Sequence, residues 1–183
     1  MTPRNDASVA LLRGINVGGK NKLPMAALVE LFEAAGCRDV RTLIQSGNVV
    51  FRAPARLRAR LGPVVQAEIE RRHGLRVPVL LREARALEEV LERNPFLGPR
   101  ADTGILHVVF LAEAPTARAL AALDPRRSPP DEFVVDGSEI FLRCPNGLAR
   151  TKLTNAWFDA ALATTSTVRN WRTVVRLAEM ARA

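Results

Sequence analysis

The 183-residue chain contains little cysteine and histidine, and it has no long apolar run. Two cysteines, Cys37 and Cys144, are too few for a disulfide framework and match no metal-ligand spacing, so we expect neither a metal site nor a cofactor. No apolar run approaches the roughly 20 residues of a membrane span, which argues against a membrane partner. The N-terminal segment also lacks the pattern of a secretory signal. The sequence therefore predicts a cytoplasmic protein.

Residues that would identify a reaction are also missing. His73 stands beside Gly74 at a predicted helix end, and His107 lies in an apolar run, so both favour structural roles. The sequence shows no Ser-His-Asp, Cys-His or paired-carboxylate arrangement. It also lacks the aromatic strand with which RNA-binding proteins of the ferredoxin-like class stack bases. The sequence thus names neither a reaction nor an oligomeric state, and it leaves open whether the protein is an enzyme.

The charge is unbalanced, with 27 basic and 19 acidic residues and a formal net charge of +8. Such a balance is typical of proteins with nucleic-acid or phosphate partners. However, only Lys20, Lys22 and Lys152 are lysines, and the remaining basic residues are arginines in an alanine-rich chain. This bias in composition weakens the argument from total charge. The positions of the three lysines are more informative.

Hydrophobic periodicity predicts alternating strands and helices in the first half of the chain. Pro24 and Gly36 mark the start and end of a helix, and Ser46-Gly47-Asn48 forms the turn of a hairpin. A second helix is predicted to kink or restart at Gly62-Pro63. These elements are a strand at 8–15, a helix at 24–36, a hairpin at 40–53, a helix at 55–73 and a strand at 75–82. This β-α-β-β-α-β order is that of the ferredoxin-like split βαβ motif.

The second half repeats part of this order. Its predicted elements are a connecting helix at 84–93, a strand at 105–112, a helix at 115–123 led by Pro115, a hairpin at 132–143 and helices at 151–163 and 168–180. A final helix stands where a closing strand is expected. We therefore predict an α+β protein with two ferredoxin-like halves, each an antiparallel sheet with helices packed on one face. The domains are 1–82 (βαββαβ) and 83–183 (βαββαα).

The stretch GINVGGKNK, residues 14–22, resembles a phosphate-binding P-loop. However, Asn21 stands where the Mg²⁺-binding hydroxyl belongs, and the helix begins only near Pro24. The predicted sheet is also antiparallel, so we reject a nucleotide-hydrolase loop. Two interpretations remain: a Gly-rich turn with solvated lysines, or a cationic loop that binds an anion. In the second, glycines allow close backbone approach and nearby side chains donate hydrogen bonds. The residues involved are Gly18, Gly19, Asn16, Lys20 and Lys22.

Two further stretches carry polar residues at turns. In QSGN, residues 45–48, the side chains of Gln45, Ser46 and Asn48 either build the hairpin turn or offer donors and acceptors to a ligand. Strand register decides whether this tip lies beside the Gly-rich loop. In the second stretch, 144–157, Thr151 or Thr154 is predicted to cap the next helix.

Arg150 and Lys152 then lie at a helix N-terminus, where cations oppose the helix dipole. An arriving anion would reverse that penalty. The alternative is that both side chains extend into water. At the C-terminus, Val168, Trp171, Val175 and Ala178 are predicted to form the core face of the last helix. A second row on this helix is either a solvated face or a contact for a phosphate or an acidic partner, and it comprises Arg169, Arg172, Thr173 and Arg176.

Taken together, four stretches resemble the motifs of the domain-of-unknown-function 1697 family, from about residue 9 to residue 180. They are ALLRGINVGGKNKLPMAALVELFEAAG, VRTLIQSGNVVF, NGLARTKLTNA and TVRNWRTVVRLAEM. The resemblance implies a small bacterial α+β protein with ferredoxin-like halves, and it implies no activity, cofactor or substrate. Two departures are Thr151, where the family usually has Ser, and the absence of a glycine at 163–167.

The leading hypothesis is a site for an anionic, phosphate-bearing small molecule or nucleotide, formed by the Gly-rich loop, the QSGN tip and the TKLTN helix start. The predicted ligand-binding residues are Arg13, Asn16, Gly18, Gly19, Lys20, Lys22, Gln45, Ser46, Asn48, Arg150, Thr151, Lys152, Asn155, Arg169 and Asn170. One alternative is non-specific nucleic-acid binding through an Arg-rich surface, which salt would weaken steeply. Another is a protein-interaction scaffold without catalysis.

Overall fold

A computed structural model describes residues 6–183 of the chain. Residues 1–5, which begin the first predicted domain, lie outside it. The chain divides into two compact units. The first comprises the residues up to Glu88 together with Arg176–Ala183, and the second comprises Glu89–Val175.

The two units contain the same order of strands and helices. The first contains β1 (Ala7–Leu12), α1 (Met25–Ala34), β2 (Arg38–Leu43), β3 (Asn48–Arg52), α2 (Ala55–His73) and β4 (Val79–Glu83). Helix α3 (Ala84–Arg93) follows, and it begins in the first unit and ends in the second. The second contains β5 (Leu106–Leu111), α4 (Ala117–Ala121), β6 (Glu132–Asp136), β7 (Glu139–Arg143), α5 (Asn155–Leu162) and β8 (Ser166–Asn170). The last helix, α6 (Trp171–Arg182), begins in the second unit and ends in the first. Short 3-10 turns lie at Thr103–Ile105 and Leu148–Arg150.

In the first unit the strands form an antiparallel sheet in the order β2-β3-β1-β4. Ala10 and Leu12 of β1 lie on the face that packs against α1 and α2. Phe32 of α1 is fully buried there, with its ring centroid 5.3 Å from that of Phe51 on β3. This arrangement confirms the predicted α+β class with a four-stranded antiparallel sheet.

The second helix of this unit does not restart at Pro63, because α2 is one continuous helix from Ala55 to His73. Gly62 is buried, and a Cβ at this position would lie 3.3 Å from the carbonyl oxygen of Val79. The glycine therefore lets α2 approach β4 closely. As predicted, the helix ends at His73, and Gly74 follows with a left-handed φ of 65°.

The second unit has the same sheet order, β6-β7-β5-β8, again antiparallel. The sequence prediction missed its closing strand: β8 occupies Ser166–Asn170, and the last helix begins at Trp171 rather than at Val168. The side chain of Asn170 accepts a hydrogen bond from the backbone of Thr173 at 2.8 Å and so caps that helix. Strand and helix follow each other without a loop.

Two other predicted helices of this unit are shorter than expected. α4 begins at Ala117 after Thr116, and α5 begins at Asn155 after Thr154. In both cases the threonine hydroxyl accepts a hydrogen bond from a first-turn amide, at 3.2 Å in each cap. These hydroxyls fix the helix starts, so Pro115 and Thr151 lie outside the helices.

Candidate functional site

Two asparagine side chains close the base of the Gly-rich loop. The Nδ2 of Asn16 donates to the carbonyl of Leu23 and its Oδ1 accepts from the amide of Leu23, both at 2.9 Å. The Nδ2 of Asn21 donates to the carbonyl of Gly14 at 2.9 Å. Both asparagines have positive φ angles, 54° and 49°, a conformation that asparagine tolerates better than most residues. Asn21, which stands where a P-loop has its hydroxyl residue, therefore stabilises the base of the loop.

The tip of this loop is a miniature hairpin. Val17 and Lys20 form an isolated antiparallel bridge, and the amide of Lys20 donates to the carbonyl of Val17 at 3.0 Å. Gly18 and Gly19 lie between them with φ angles of 56° and 75°. Two consecutive positive φ angles are typical of a tight hairpin turn, which explains both glycines. The helix begins at Met25, well after Lys20, so the loop is not a nucleotide-hydrolase P-loop.

Strand register places the QSGN tip beside the base of the Gly-rich loop. The amide of Leu12 donates to the carbonyl of Gly47 at 2.8 Å. A Cβ at Gly47 would lie 2.7 Å from the Cβ of Leu12 and 3.0 Å from the side chain of Ile15. Asn48 is buried, and its Nδ2 donates to the Oγ of Ser46 at 2.9 Å. Gln45 alone of the three polar side chains in this tip is exposed.

These segments surround a cavity of about 500 Å³, which we call the loop cleft. Its lining residues are Asn16, Gly19, Lys22, Leu23, Pro24, Met25 and Gln45. Lys22 is the charged residue of this set, which contains no carboxylate. The cleft also includes the start of α1, where Pro24 occupies the N-cap without a capping side chain and the first turn has no acidic residue. Helix N-termini of this kind carry a positive partial charge.

Four of the predicted ligand residues line the loop cleft: Asn16, Gly19, Lys22 and Gln45. The others from this unit do not. Gly18 and Lys20 lie at the exposed hairpin tip, while Ser46 and Asn48 bond to each other inside the turn. The backbone amide of Arg13 donates to the carbonyl of Pro78 at 3.0 Å. The prediction missed Leu23, Pro24 and Met25 as lining residues because it used Pro24 only as a helix-start signal.

In the second unit, the TKLTN segment is attached to Ser128. The Oγ of Ser128 accepts from the amide of Lys152 at 2.9 Å and donates to Asp131 at 2.7 Å. The hydroxyl of Thr151 accepts from the amide of Leu153 at 3.0 Å, so it holds a local turn. Sequence reasoning missed Ser128 and Asp131, which lie in a proline-containing loop. Anion contact by the exposed Arg150 and Lys152 stays a prediction.

The remaining predicted residues also make structural contacts. The Oδ1 of Asn155 lies 3.3 Å from the hydroxyl of Ser166, which donates to the carboxylate of Asp159 at 2.6 Å. Arg169 lies on β8 and is buried, and its guanidinium donates to the Oγ1 of Thr167 at 2.8 Å. Burial lowers the pKa of Arg169 to about 10. The predicted arginine row on the last helix does not form, because Arg169 precedes the helix, Thr173 is buried and Arg176 pairs with Glu179 at 3.0 Å.

Carboxylates interrupt the arginine-rich surface. Arg71 and Arg72 both bond to Glu68 at 2.8 Å, and these two hydrogen bonds lower the pKa of Glu68 to about 2. Similar pairs join Arg38 to Asp6, Arg58 to Glu83, Arg76 to Glu70, Arg143 to Glu132 and Arg182 to Glu88. Exposed pairs of this kind contribute little to stability, and each places a carboxylate beside an arginine. Nucleic-acid binding through an Arg-rich surface stays a prediction.

The described part of the chain, residues 6–183, offers no group of three His, Cys, Asp or Glu side chains that would hold a metal ion. No helix within that part is long and apolar enough to cross a bilayer. His107 is buried, its Nδ1 lies 3.2 Å from the carbonyl oxygen of Ile105, and burial lowers its pKa. This contact agrees with the structural role predicted for His107.

Both cysteine thiols are expected to resist alkylation in the folded protein. Burial raises the pKa of Cys37 and of Cys144 to about 11, and the nearby charge of Asp131 adds to the effect at Cys144. Since the thiolate is the reactive form, iodoacetamide at pH 8 should leave both residues unmodified under native conditions and modify both in denaturant. Mass spectrometry provides the measurement. Rapid modification of either residue without denaturant would contradict the burial of that thiol.

Comparison with known proteins agrees with this architecture. The family model described as "Protein of unknown function (DUF1697)" matches residues 6–141. A solved structure, that of the conserved bacterial protein SP0830 from Streptococcus pneumoniae, is similar with a TM-score of 0.73 and 22% sequence identity. The similarity covers 96% of this chain and 98% of that chain, and at this identity it shows the fold alone. Among curated proteins there is no match.

Proposed function

This chain belongs to the DUF1697 family of proteins of unknown function, and we propose that its first unit binds a small organic phosphate in the loop cleft. The observation that carries the proposal is the lining of this cleft. It combines Lys22, the uncapped start of α1 and the amide of Gln45, and it contains no carboxylate. The phosphate group is the part of the ligand that this environment favours.

Electrostatics supports an anion over a cation or a neutral ligand. The backbone amides of the first turn of α1 have no acceptor within the helix, and no capping side chain supplies one. A phosphate at this end would accept hydrogen bonds from these amides and interact favourably with the helix dipole. Lys22 adds a full positive charge on the loop that precedes the helix.

The remaining lining residues support an organic ligand rather than inorganic phosphate. Leu23, Pro24 and Met25 supply apolar surface, and the cleft volume of about 500 Å³ is that of a small-molecule site. The side-chain amide of Asn16 makes both of its hydrogen bonds to the backbone of Leu23, so its role is to stabilise the loop conformation. Gln45 is exposed and offers both a donor and an acceptor to the body of the ligand.

We propose binding rather than hydrolysis. The residues that line the loop cleft include no carboxylate, thiol, hydroxyl or imidazole. Apart from lysine, these are the side chains that usually act as nucleophiles or general bases. The proposed site therefore recognises a phosphate ester and leaves it intact.

Lys22→Ala is expected to weaken phosphate-ester binding about tenfold, because it removes the charge-assisted contact from the cleft. The measurement is calorimetric titration with adenosine monophosphate and with glucose phosphate, each beside its dephosphorylated counterpart. Lys20→Ala is the matched control, since it removes the same charge from the same loop but outside the lining residues. We expect the control to bind nearly as tightly as the wild type.

The proposal fails if adenosine binds as tightly as adenosine monophosphate and glucose binds as tightly as its phosphate. It also fails if none of these compounds binds. If Lys20→Ala and Lys22→Ala lose the same affinity for phosphate esters, the effect is a general one of charge, and the loop cleft is not the site.

A further inference from the structure

A buried hydroxyl without a partner marks a second site, separate from the loop cleft. Ser8 lies on β1, is 1% exposed, and its Oγ has no hydrogen-bond partner within residues 6–183. Ala10 and Leu12, which follow on the same face of the strand, are apolar core residues. An unpaired buried hydroxyl is unfavourable, and in a native protein such a group often contacts a bound water or ion.

Ser8 lines a cavity of about 260 Å³ at the start of α2. The lining residues are Ser8, Ala55, Arg58, Ala59, Leu81, Arg82 and Glu83. The N-cap of α2 is Pro54, which has no capping side chain, and the first turn has no acidic residue. This 19-residue helix therefore presents its uncapped amides beside the cavity. The side chains of Ala55 and Ala59, which line the cavity, are too small to cover these amides.

Arg58 brings a positive charge to the same cavity. Its side chain is only 15% exposed, and one guanidinium nitrogen donates to the carbonyl of Ala53 at 3.1 Å. Another nitrogen donates to the carboxylate of Glu83 at 2.8 Å, and the Glu83 side chain is 63% exposed. The backbone bond holds the guanidinium in place, whereas the carboxylate is able to move into water. At this second guanidinium nitrogen an anion would replace the carboxylate of Glu83 as the hydrogen-bond acceptor.

We propose that this cavity binds a small oxyanion of the size of phosphate. The anion accepts hydrogen bonds from the Oγ of Ser8, the first amides of α2 and the guanidinium of Arg58, from which it displaces Glu83. It thereby supplies the partner that Ser8 lacks and the cap that α2 lacks. The site shares no residue with the loop cleft, so it does not depend on the function proposed there.

The test is a titration with inorganic phosphate at constant ionic strength, set with chloride and followed by amide NMR spectra. Phosphate should shift the amide signals of residues 55–59. Ser8→Ala should weaken this binding about tenfold, the size of a lost hydrogen bond to a charged group. The same variant should melt no earlier than the wild type, because Ser8 loses no hydrogen bond within the protein.

Three further variants test whether phosphate binds in this cavity rather than elsewhere on the basic surface. Glu83→Gln should bind phosphate more tightly, because the competing negative charge is gone. Arg60→Ala, on the same helix but outside the cavity, and Lys22→Ala, in the loop cleft, should leave the shifts at residues 55–59 unchanged. The proposal is overturned if phosphate produces no shift there, if Ser8→Ala binds as tightly as the wild type, or if Glu83→Gln binds more weakly. An equal loss in Arg60→Ala would also overturn it.

Discussion

Gly47→Ala is expected to lower the free energy of unfolding by about 3 kcal/mol, the sum of steric overlap and backbone strain. The new Cβ would lie 2.7 Å from the Cβ of Leu12 and 3.0 Å from two carbon atoms of Ile15. Both neighbours are fully buried and have little room to move. The φ angle of 72° adds strain for any residue with a Cβ. Urea denaturation measures the loss.

Gly137→Ala is the matched control for that prediction. Gly137 occupies the turn of the β6–β7 hairpin, which corresponds to the β2–β3 hairpin of the first unit, and has a φ of 62°. A Cβ there would meet nothing within 4 Å, so only the strain of about 1–2 kcal/mol remains. If both variants lose the same free energy of unfolding, the close approach of Leu12 and Ile15 is not what requires glycine at residue 47.

Phe158→Ala is expected to destabilise the protein by about 4 kcal/mol, because it removes a large side chain from a closed core. Phe158 of α5 is fully buried, and its ring centroid lies 4.8 Å from that of Trp157 and 5.8 Å from that of Phe133. The alanine variant leaves a cavity among these rings. Urea denaturation, followed by tryptophan fluorescence and by circular dichroism, measures the change.

Phe158→Leu keeps most of the volume and should lose less than half as much stability as the alanine variant. If both variants lose the same amount, the aromatic contacts rather than the filled volume stabilise this core. If the alanine variant loses less than about 1 kcal/mol, Phe158 is not at the centre of the core.

The sequence predicted most of the fold because its local signals agreed with one another. Pro24 marked a helix start, Gly36 and Gly74 marked helix ends, and the QSGN stretch marked a hairpin turn. It did not predict β8, which is short, contains Ser166, Thr167 and Arg169, and passes into α6 without a loop. The predicted helix began at residue 168 and so covered the last three residues of β8, because helical periodicity continues there. The strand forms by pairing with β5, which is a long-range contact.

The candidate site was predictable in its residue types but not in their orientations. Glycine, lysine and amide residues indicated an anion site, and four of them line the loop cleft. Turn geometry decided that Asn16 bonds to the backbone of Leu23 and that Asn48 bonds to Ser46. Nor did the sequence distinguish Ser8, since a serine in an apolar strand carries no sign of an unpaired hydroxyl.

The most direct test of phosphate-ester binding is an NMR map of the first unit during titration with adenosine monophosphate. We expect the backbone amides of residues 19–23 and 25–27 and the side-chain amide of Gln45 to shift with increasing ligand. Adenosine at the same concentrations should leave them unchanged, and Lys22→Ala should require more ligand for the same shifts. Shifts of equal size with adenosine, or shifts confined to residues outside the loop cleft, would contradict phosphate-ester binding at this site.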